Sequence, residues 1–336
     1  MKIHPVSIND IAKVLGVSAS TVSRALKDHP DISSETKELV HEYAQKVNYR
    51  PNTLATSLRR QRSNTLGIVI PEIAHHFFST VISGIEDVAY GNGYRVMICQ
   101  SNEDALRERM NLQVLIDHRV DGILLSMSKN TLDFSLFRDM AAANYPVVFF
   151  DRICNEVETD RVTTNDFEGA RLLTNHLIRQ GRRKILHLAA PQNLIIGQQR
   201  YLGYSRALEE NNIERKNELM LMCDTPVLVE KMSDVILSMA RRVDTMFAVN
   251  DFTAVALMKL LQKNGYRVPD QIAVAGFGND PIAAVVDPSL TTVEQKGYEI
   301  GREAVSLLIN RIENPEDVIE FETRTFPATL IIRQSA

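Results

Sequence analysis

The chain has 336 residues, a net charge of −4, 44% hydrophobic and 24% charged residues, a balance that fits two or three folded units and excludes a disordered chain. Its three cysteines, Cys99, Cys154 and Cys223, are odd in number and widely spaced, so neither a disulfide framework nor a thiolate metal cluster is expected. No run of about 18 apolar residues occurs, and MKIHPVSIND has no apolar stretch after its lysine, which points to a cytoplasmic protein with no membrane span and no export signal. The charge is unevenly spread: residues 1 to 62 hold ten Lys plus Arg against six Asp plus Glu, and the remainder holds 28 against 36. Only the N-terminal segment is a candidate for contact with phosphates.

The first 50 residues read as three short helices. Ser7 caps one whose apolar side is Ile8, Ile11, Ala12 and Leu15, and Gly16 supplies the left-handed turn that ends it. Ser18 caps a second, with Val22, Ala25 and Leu26 inward. Ser33 or Ser34 opens a third, with Leu39, Val40, Tyr43 and Val47 inward. Arg50-Pro51-Asn52 breaks the pattern and restarts a short helix to about Arg60, with little apolar surface to anchor it.

After Ser63, short apolar runs alternate with amphipathic stretches of helical period. The runs are TLGIVIP at Thr65, YRVMICQ at Tyr94, GILLSM at Gly122, PVVFFD at Pro146, KILHLA at Lys184, ELMLMC at Glu218, DTMFAVN at Asp244 and QIAVAGF at Gln271. Such spacing suits a strand plus a returning helix, hence α/β architecture with two doubly wound parallel sheets. RVTTND at Arg161 to Asp166 has neither strong strand nor strong helix character and reads as a crossover between two lobes.

Ala12, Gly16 and Val22 stand at the spacing of a helix-turn-helix, with a small residue at the helix contact, a turn glycine and a core anchor. After the turn come Ser18, Ala19, Ser20, Thr21, Ser23 and Arg24, short side chains, hydroxyls and one guanidinium of the kind that enters a major groove. The hydroxyls suit phosphate oxygens, whereas Ala19, Ser20 and Arg24 are placed for base edges, Arg24 with a preference for guanine. An ordinary helical hairpin with a solvated face has the same spacing.

The wider match separates the two readings. The segment from Val6 to Pro71 resembles the N-terminal sixty-odd residues of the LacI family of bacterial repressors. FFDR at Phe149, NDFEGAR at Asn165, QRYLGY at Gln199, FAVND at Phe247, VAGFGND at Val274, PSLTTVEQ at Pro288 and the terminal TLIIRQS extend the likeness over nearly the whole chain. The resemblance implies an all-α helix-turn-helix headpiece at 1–50, a hinge helix at 51–62 and an effector-binding and dimerisation domain at 63–336. That domain is of periplasmic-binding-protein type, with one lobe at 63–162 and 294–322 and the other at 163–293 and 323–336. It also implies a repressor that binds a palindromic double-stranded operator as a homodimer. Asn52, Leu58 and Arg59 are then DNA contacts of the hinge helix, Leu58 being the wedge that opens a base step from the minor groove. The first lobe's helix from Phe77 to about Tyr90 is expected near the dimer interface, and the chain end soon after Arg333 leaves no leucine-rich tail for tetramers.

Two lobes side by side leave a cleft at the carboxyl ends of their strands. By resemblance, Arg200, Asn250 and Gln295 are effector contacts and His76, Phe77 and Phe78 are pocket wall, with Asp151 and Arg152 as further strand-end candidates. Each has an alternative role as a helix cap. Where the family usually has an aspartate, this chain has Gly278 in GFGND. Loss of that carboxylate beside Arg200 lowers the cost of an acidic effector such as a sugar acid, unless Asn279 or Asp280 turns inward. The resemblance and this departure together lead to the expectation of a carbohydrate, sugar acid or related metabolite as effector. Neither a phosphate-cradling loop, a G-x-S-x-G elbow nor a metal-spaced His/Cys set is present, so no catalytic residue, metal or cofactor is expected. A transport solute-binding protein would share the two lobes but requires export.

The wedge reading makes a checkable statement: Leu58→Ala weakens binding to an operator recovered from a random duplex library far more than binding to unrelated duplex. Equal losses in parallel titrations would contradict it.

Overall fold

A computed structural model describes residues 6–49, 62–315 and 320–336. One compact unit ends at Ser63 and a second runs from Asn64 to Ala336. Asn52, Leu58 and Arg59 lie outside the described residues.

The first unit has helices α1 (Ile8–Leu15), α2 (Ala19–Ala25) and α3 (Ser34–Lys46). Each is capped by a serine, Ser7, Ser18 and Ser33, whose hydroxyl accepts a backbone N–H of the first turn. At Ser7 the cap is reciprocal, because the Asp10 carboxylate accepts the Ser7 N–H in return at 2.9 Å. Gly16 ends α1 at φ 66°, and a Cβ there would meet nothing within 4 Å, so the glycine is needed for its backbone angle alone. Ile11, Ala12, Val22, Ala25, Val40 and Ala44 are buried and form the core. Leu39, expected to face inward, is 48% exposed. Helix α3 turns its Val40–Ala44 ridge to the core, and Leu39 is one residue, roughly 100° of helical turn, off that ridge.

In the second unit, β1 (Thr65–Ile70), β2 (Arg95–Gln100), β3 (Gly122–Leu125), β4 (Val147–Phe150) and β5 (Asp160–Thr164) join β11 (Thr323–Phe326) in a six-stranded sheet of order β11-β5-β4-β3-β1-β2. All its pairings are parallel. Helices α4 (His76–Gly91) and α13 (Gly297–Glu313) cover one face, and α5 (Ala105–Asp117) and α6 (Ser135–Ala142) the other. The second sheet has parallel order β7-β6-β8-β9, from β6 (Ile185–Ala189), β7 (Met220–Met222), β8 (Thr245–Ala248) and β9 (Ala273–Ala275). Helices α7 (Asp166–Arg179) and α8 (Ile195–Glu210) pack on one face, and α9 (Pro226–Lys231), α10 (Ser233–Ala240) and α11 (Asp251–Lys263) on the other. A four-residue helix α12 (Ile282–Val285) follows β9, and β10 (Thr292–Glu294) and β12 (Thr329–Ile331) form an antiparallel pair beside it. With both faces covered, strands such as GILL and TMFA are buried throughout, which is why they read as unbroken apolar runs rather than alternating ones.

RVTTND proves to be β5 followed directly by Asn165, whose side-chain oxygen accepts the Glu168 N–H and caps α7. Its period-2 burial, with Asp160, Val162 and Thr164 buried, hides polar side chains on one face, so the run lacks an apolar signature. The chain crosses between lobes three times: at Asn165, at Gln295–Lys296 and at Pro327–Ala328. Residues 323–326, assigned from sequence to the second lobe, pair with β5 in the first sheet, and Glu294, assigned to the first lobe, pairs with Thr329 in the second. The crossings are tied together, since the Asn165 N–H donates to Phe326 O at 2.8 Å and Gln295 Nε2 approaches Thr164 Oγ1 at 3.5 Å.

Helices α4 and α13 approach through glycines. A Cβ on Gly84 would strike the Tyr298 carbonyl oxygen, and one on Gly301 the Val81 carbonyl oxygen, both backbone atoms that cannot rotate aside. Gly84→Ala or Gly301→Ala is expected to cost about 1–3 kcal/mol in a urea titration of the whole chain, as overpacking does. The exposed Gly91→Ala, with open space around its Cβ, serves as the control.

Candidate functional site

In the first unit, Gly16 sets the angle at which α2 leaves α1, and the start of α2 is a ring of hydroxyls. Ser18 Oγ lies 2.7 Å from Ser20 Oγ and 2.8 Å from Thr21 Oγ1 and accepts the Thr21 N–H at 3.0 Å. Ser18 and Ser20 are exposed, Ala19, Thr21 and Ser23 half-buried. Arg24 is 58% exposed and only loosely held, 3.9 Å from the Asp31 carboxylate. One helix face therefore carries short side chains and an exposed guanidinium, with Val22 and Ala25 fixing the opposite face in the core.

In the second unit, a cleft of about 460 Å3 separates the lobes. All eight residues singled out from the sequence line it: His76, Phe77, Phe78, Asp151, Arg152, Arg200, Asn250 and Gln295. Asp151, Arg152 and Asn250 follow the carboxyl ends of strands, His76, Phe77, Phe78 and Arg200 lie in the first two turns of the helices α4 and α8 that follow β1 and β6, and Gln295 sits in a crossing, the side of the sheets where parallel α/β folds place their ligands.

Arg200, on α8, is nearly buried. Its Nε donates to Asp166 Oδ1 at 2.7 Å, its Nη1 donates to Val249 O at 2.7 Å, and its guanidinium lies 3.9 Å from the Phe277 ring centre. Asp166 is also buried, and burial pushes its carboxyl up against the pull of Arg200. Arg152 donates to both oxygens of Glu103, at 2.7 and 2.9 Å, and stands 3.9 Å from Asp151. Asp151 holds a left-handed backbone, φ 57°, at the end of β4. Burial raises its carboxyl to about 6, opposed by Arg152 and reinforced by Asp166. Asp251 is likewise raised to about 6 by burial, although Thr292 Oγ1 donates to it at 2.6 Å and the Asp280 N–H at 2.7 Å. Asn250 caps α11 through its side-chain oxygen and donates from Nδ2 to Asp224 O at 2.8 Å, so its capping role and its place in the cleft coexist.

At Gly278, φ is 131° and an added Cβ would meet only the Asp251 carboxylate, at 3.7 Å. Of the two neighbours that could replace the missing carboxylate, Asn279 turns away, receiving Arg333 Nη2 on Oδ1 at 2.7 Å and donating to Glu294 at 3.0 Å, whereas Asp280 lines the cleft. Sequence reasoning left out Glu103, Lys129 and Asp224, which also line it. Each lies within a few residues of the carboxyl end of a strand, and that position was the available signal. Among the described residues, no group of three or more His, Cys, Asp or Glu is placed to hold a metal ion, and no helix is long and apolar enough to cross a membrane.

Comparison with known proteins follows the same division. Residues 7–52 match the family of bacterial regulatory proteins, lacI family, and residues 174–336 the periplasmic binding protein-like domain. The chain is 34% identical over 331 residues to the ribose operon repressor of Halalkalibacterium halodurans, covering 98% of this chain and 96% of that one. It is 32% identical over 314 residues to the transcriptional repressor PurR of Vibrio atlanticus, covering 92% and 93%. Among solved structures, the complex of the transcriptional regulator CelR with cellobiose superposes with TM-score 0.75 at 26% identity over 98% of this chain and 100% of that one. The Lac repressor dimer bound to operator and the anti-inducer ONPF shares the fold, with TM-score 0.84 at 24% identity over 99% of both chains. A helix-turn-helix headpiece followed by a two-lobed sensor with a ligand-sized cleft defines a DNA-binding transcriptional regulator controlled by a small molecule. The chain belongs to the LacI family, whose relatives here are repressors.

The raised carboxyls fix a pH dependence. A carboxyl that rises from 3.8 to about 6 on folding favours the folded state at low pH, and that contribution is lost as pH climbs from about 4 to about 6. Asp151→Asn removes the cost of the buried charge. Relative to the unchanged protein it is expected to gain stability between pH 4 and pH 7, by up to roughly 3 kcal/mol. Urea titrations at both ends of that range read it, and a difference that does not change with pH would refute it.

Proposed function

We propose that this protein is a cytoplasmic, non-catalytic homodimeric repressor. It reads a palindromic operator with α2 and releases or grips it according to an uncharged, polyhydroxylated ligand in the interlobe cleft. The observation that carries the ligand class is the charge pairing of the cleft. Each cation lining it already has an internal partner, Arg200 with Asp166, Arg152 with Glu103 and Lys129 with Asp224. Asp251 and Asp280 carry negative charge beyond these three pairs, Asp151 shares Arg152 with Glu103 at the longer distance of 3.9 Å, and Glu72 is met by the His75 ring at 3.1 Å. Among the described residues lining the cleft an entering anion meets no unpaired lysine or arginine and several negative charges, whereas hydroxyl groups find acceptors. This weighs against the sugar acid that Gly278 alone suggests. Aromatic rings of Phe77, Phe78 and Phe252 supply flat apolar walls of the kind that cover a sugar ring.

On the DNA side, Ser18, Ala19, Ser20, Thr21, Ser23 and Arg24 are the contacts we assign to α2, with Asn52, Leu58 and Arg59 assigned to the hinge. Dimerisation is supported by an apolar stripe at helical spacing on α5, where Leu106, Met110 and Val114 are 68%, 60% and 45% exposed. The exposed side of α4 carries Ser83, Glu86 and Asp87 with Tyr90 at its end, whereas α5 presents three apolar side chains in one stripe, so α5 is the better candidate for the first lobe's share of the interface.

Selection from a random duplex library is expected to return a two-fold symmetric site, and Arg24→Ala to lose about 1–3 kcal/mol of discrimination at one base pair per half-site. A library that yields no enriched site would refute the DNA reading. In thermal shift, neutral pentoses and hexoses are expected to raise the melting temperature where the corresponding uronates do not, since stabilisation tracks occupancy.

A further inference from the structure

The two lobes are joined not only by the chain crossings but by side chains that meet across the cleft, and these converge on Lys129. Its ammonium donates to Asp224 Oδ2 of the second lobe at 3.1 Å, with side chains 22% and 14% exposed. Its carbonyl accepts from Asn193 Nδ2 of the second lobe at 2.7 Å. Within the first lobe its N–H donates to Glu103 Oε2 at 2.8 Å. The loop that carries it is pinned on both sides by the buried Glu108, which accepts the Ser128 N–H at 2.5 Å and the Thr131 hydroxyl at 2.6 Å. Lys129 is therefore held from below by its own lobe and reaches across with both main chain and side chain. Apart from it, the His75 ring meets Phe252 edge-on at 5.5 Å between centroids.

We infer that Lys129 is a positioning residue that clasps the two lobes together across the cleft, and that the clasp is wired to the residues facing the cleft. On one side, Glu103 holds both the Lys129 N–H and the Arg152 guanidinium. On the other, Asp224 holds the Lys129 ammonium with its carboxylate and the Asn250 amide with its carbonyl. A ligand that draws Arg152 or Asn250 toward itself pulls on one of the two ends of this single ion pair. The half-buried setting gives the pair more strength than a surface contact, and loss of either partner leaves the other charge uncompensated beside the cleft. The inference rests on the cleft being the ligand site, but its test needs no ligand and no DNA.

Nitroxide labels at Leu132→Cys in the first lobe and Val235→Cys in the second, both exposed positions, with Cys99→Ser to remove the half-exposed thiol, report the interlobe distance in the full-length protein by pulsed electron resonance. The unchanged clasp is expected to give one narrow distance. Lys129→Met and Asp224→Asn are each expected to add a second population and raise its fraction at least tenfold. Lys129→Arg is expected to keep the narrow distance, and the exchange Lys129→Asp with Asp224→Lys to recover most of it. Melting curves confirm that each variant is folded. A narrow, unshifted distance in both single variants overturns the inference, as does a broadened distance that neither the arginine nor the exchange reverses. Either failure leaves the operator selection and the sugar screen untouched, so the clasp and the regulatory reading fall separately.

Discussion

The architecture of the second unit depends on one constraint: the chain passes between lobes three times within a narrow strip. Asn165 and Phe326 are hydrogen-bonded across two of the passages, and Gln295 reaches Thr164 across the third. Each lobe closes its own apolar cores on both faces of its own sheet. Rotation of one lobe on the other therefore leaves those cores intact and is opposed chiefly by the polar contacts across the cleft. A hinge of this kind can be biased by a coupling of about 1–3 kcal/mol, which is within reach of a few hydrogen bonds to a ligand.

Residues at the cleft are built into the same strip. Asp166 is the first residue of α7, immediately after a crossing, and its carboxylate holds Arg200. Gln295 lies in another crossing and also lines the cleft. A contact made to Arg200 or Gln295 is thus made to the hinge, with no intervening packing to absorb it. Asp151 adds a buried carboxyl on the first lobe that feels Arg152 of its own lobe and Asp166 and Arg200 of the other. The chemistry of the site and the mechanics of the lobes share the same few side chains.

Much of this was legible in the sequence because its physical causes are local. The serine caps and Gly16 act over three or four residues, so α1 to α3 could be placed from spacing alone, and eight strands announced themselves as apolar runs, six of them buried and the edge strands β2 and β7 partly exposed. Leu39 escaped because helical spacing defines a stripe, not which edge of the stripe meets a neighbour. RVTTND escaped because a strand that buries Asp160 and Thr164 has its polar groups paired by tertiary partners, Asp160 by Arg311, which lies 151 residues away in sequence. The cleft residues at strand ends were found, yet Lys129, Glu103 and Asp224 were not. Lys129 and Asp224 matter because they pair between lobes and Glu103 because it holds Lys129 and Arg152, and nothing local distinguishes a paired lysine from a solvated one.

The paired state of the cleft cations has a further consequence for how the two binding events respond to ionic strength. Docking of a basic headpiece on duplex DNA releases counterions and weakens steeply as salt is added. A cleft whose guanidinium and ammonium groups are already compensated offers an uncharged guest no long-range Coulomb attraction to screen, so its affinity is nearly indifferent to salt. The osmotic condition of the cell can thus retune the grip on the chromosome without retuning the sensor.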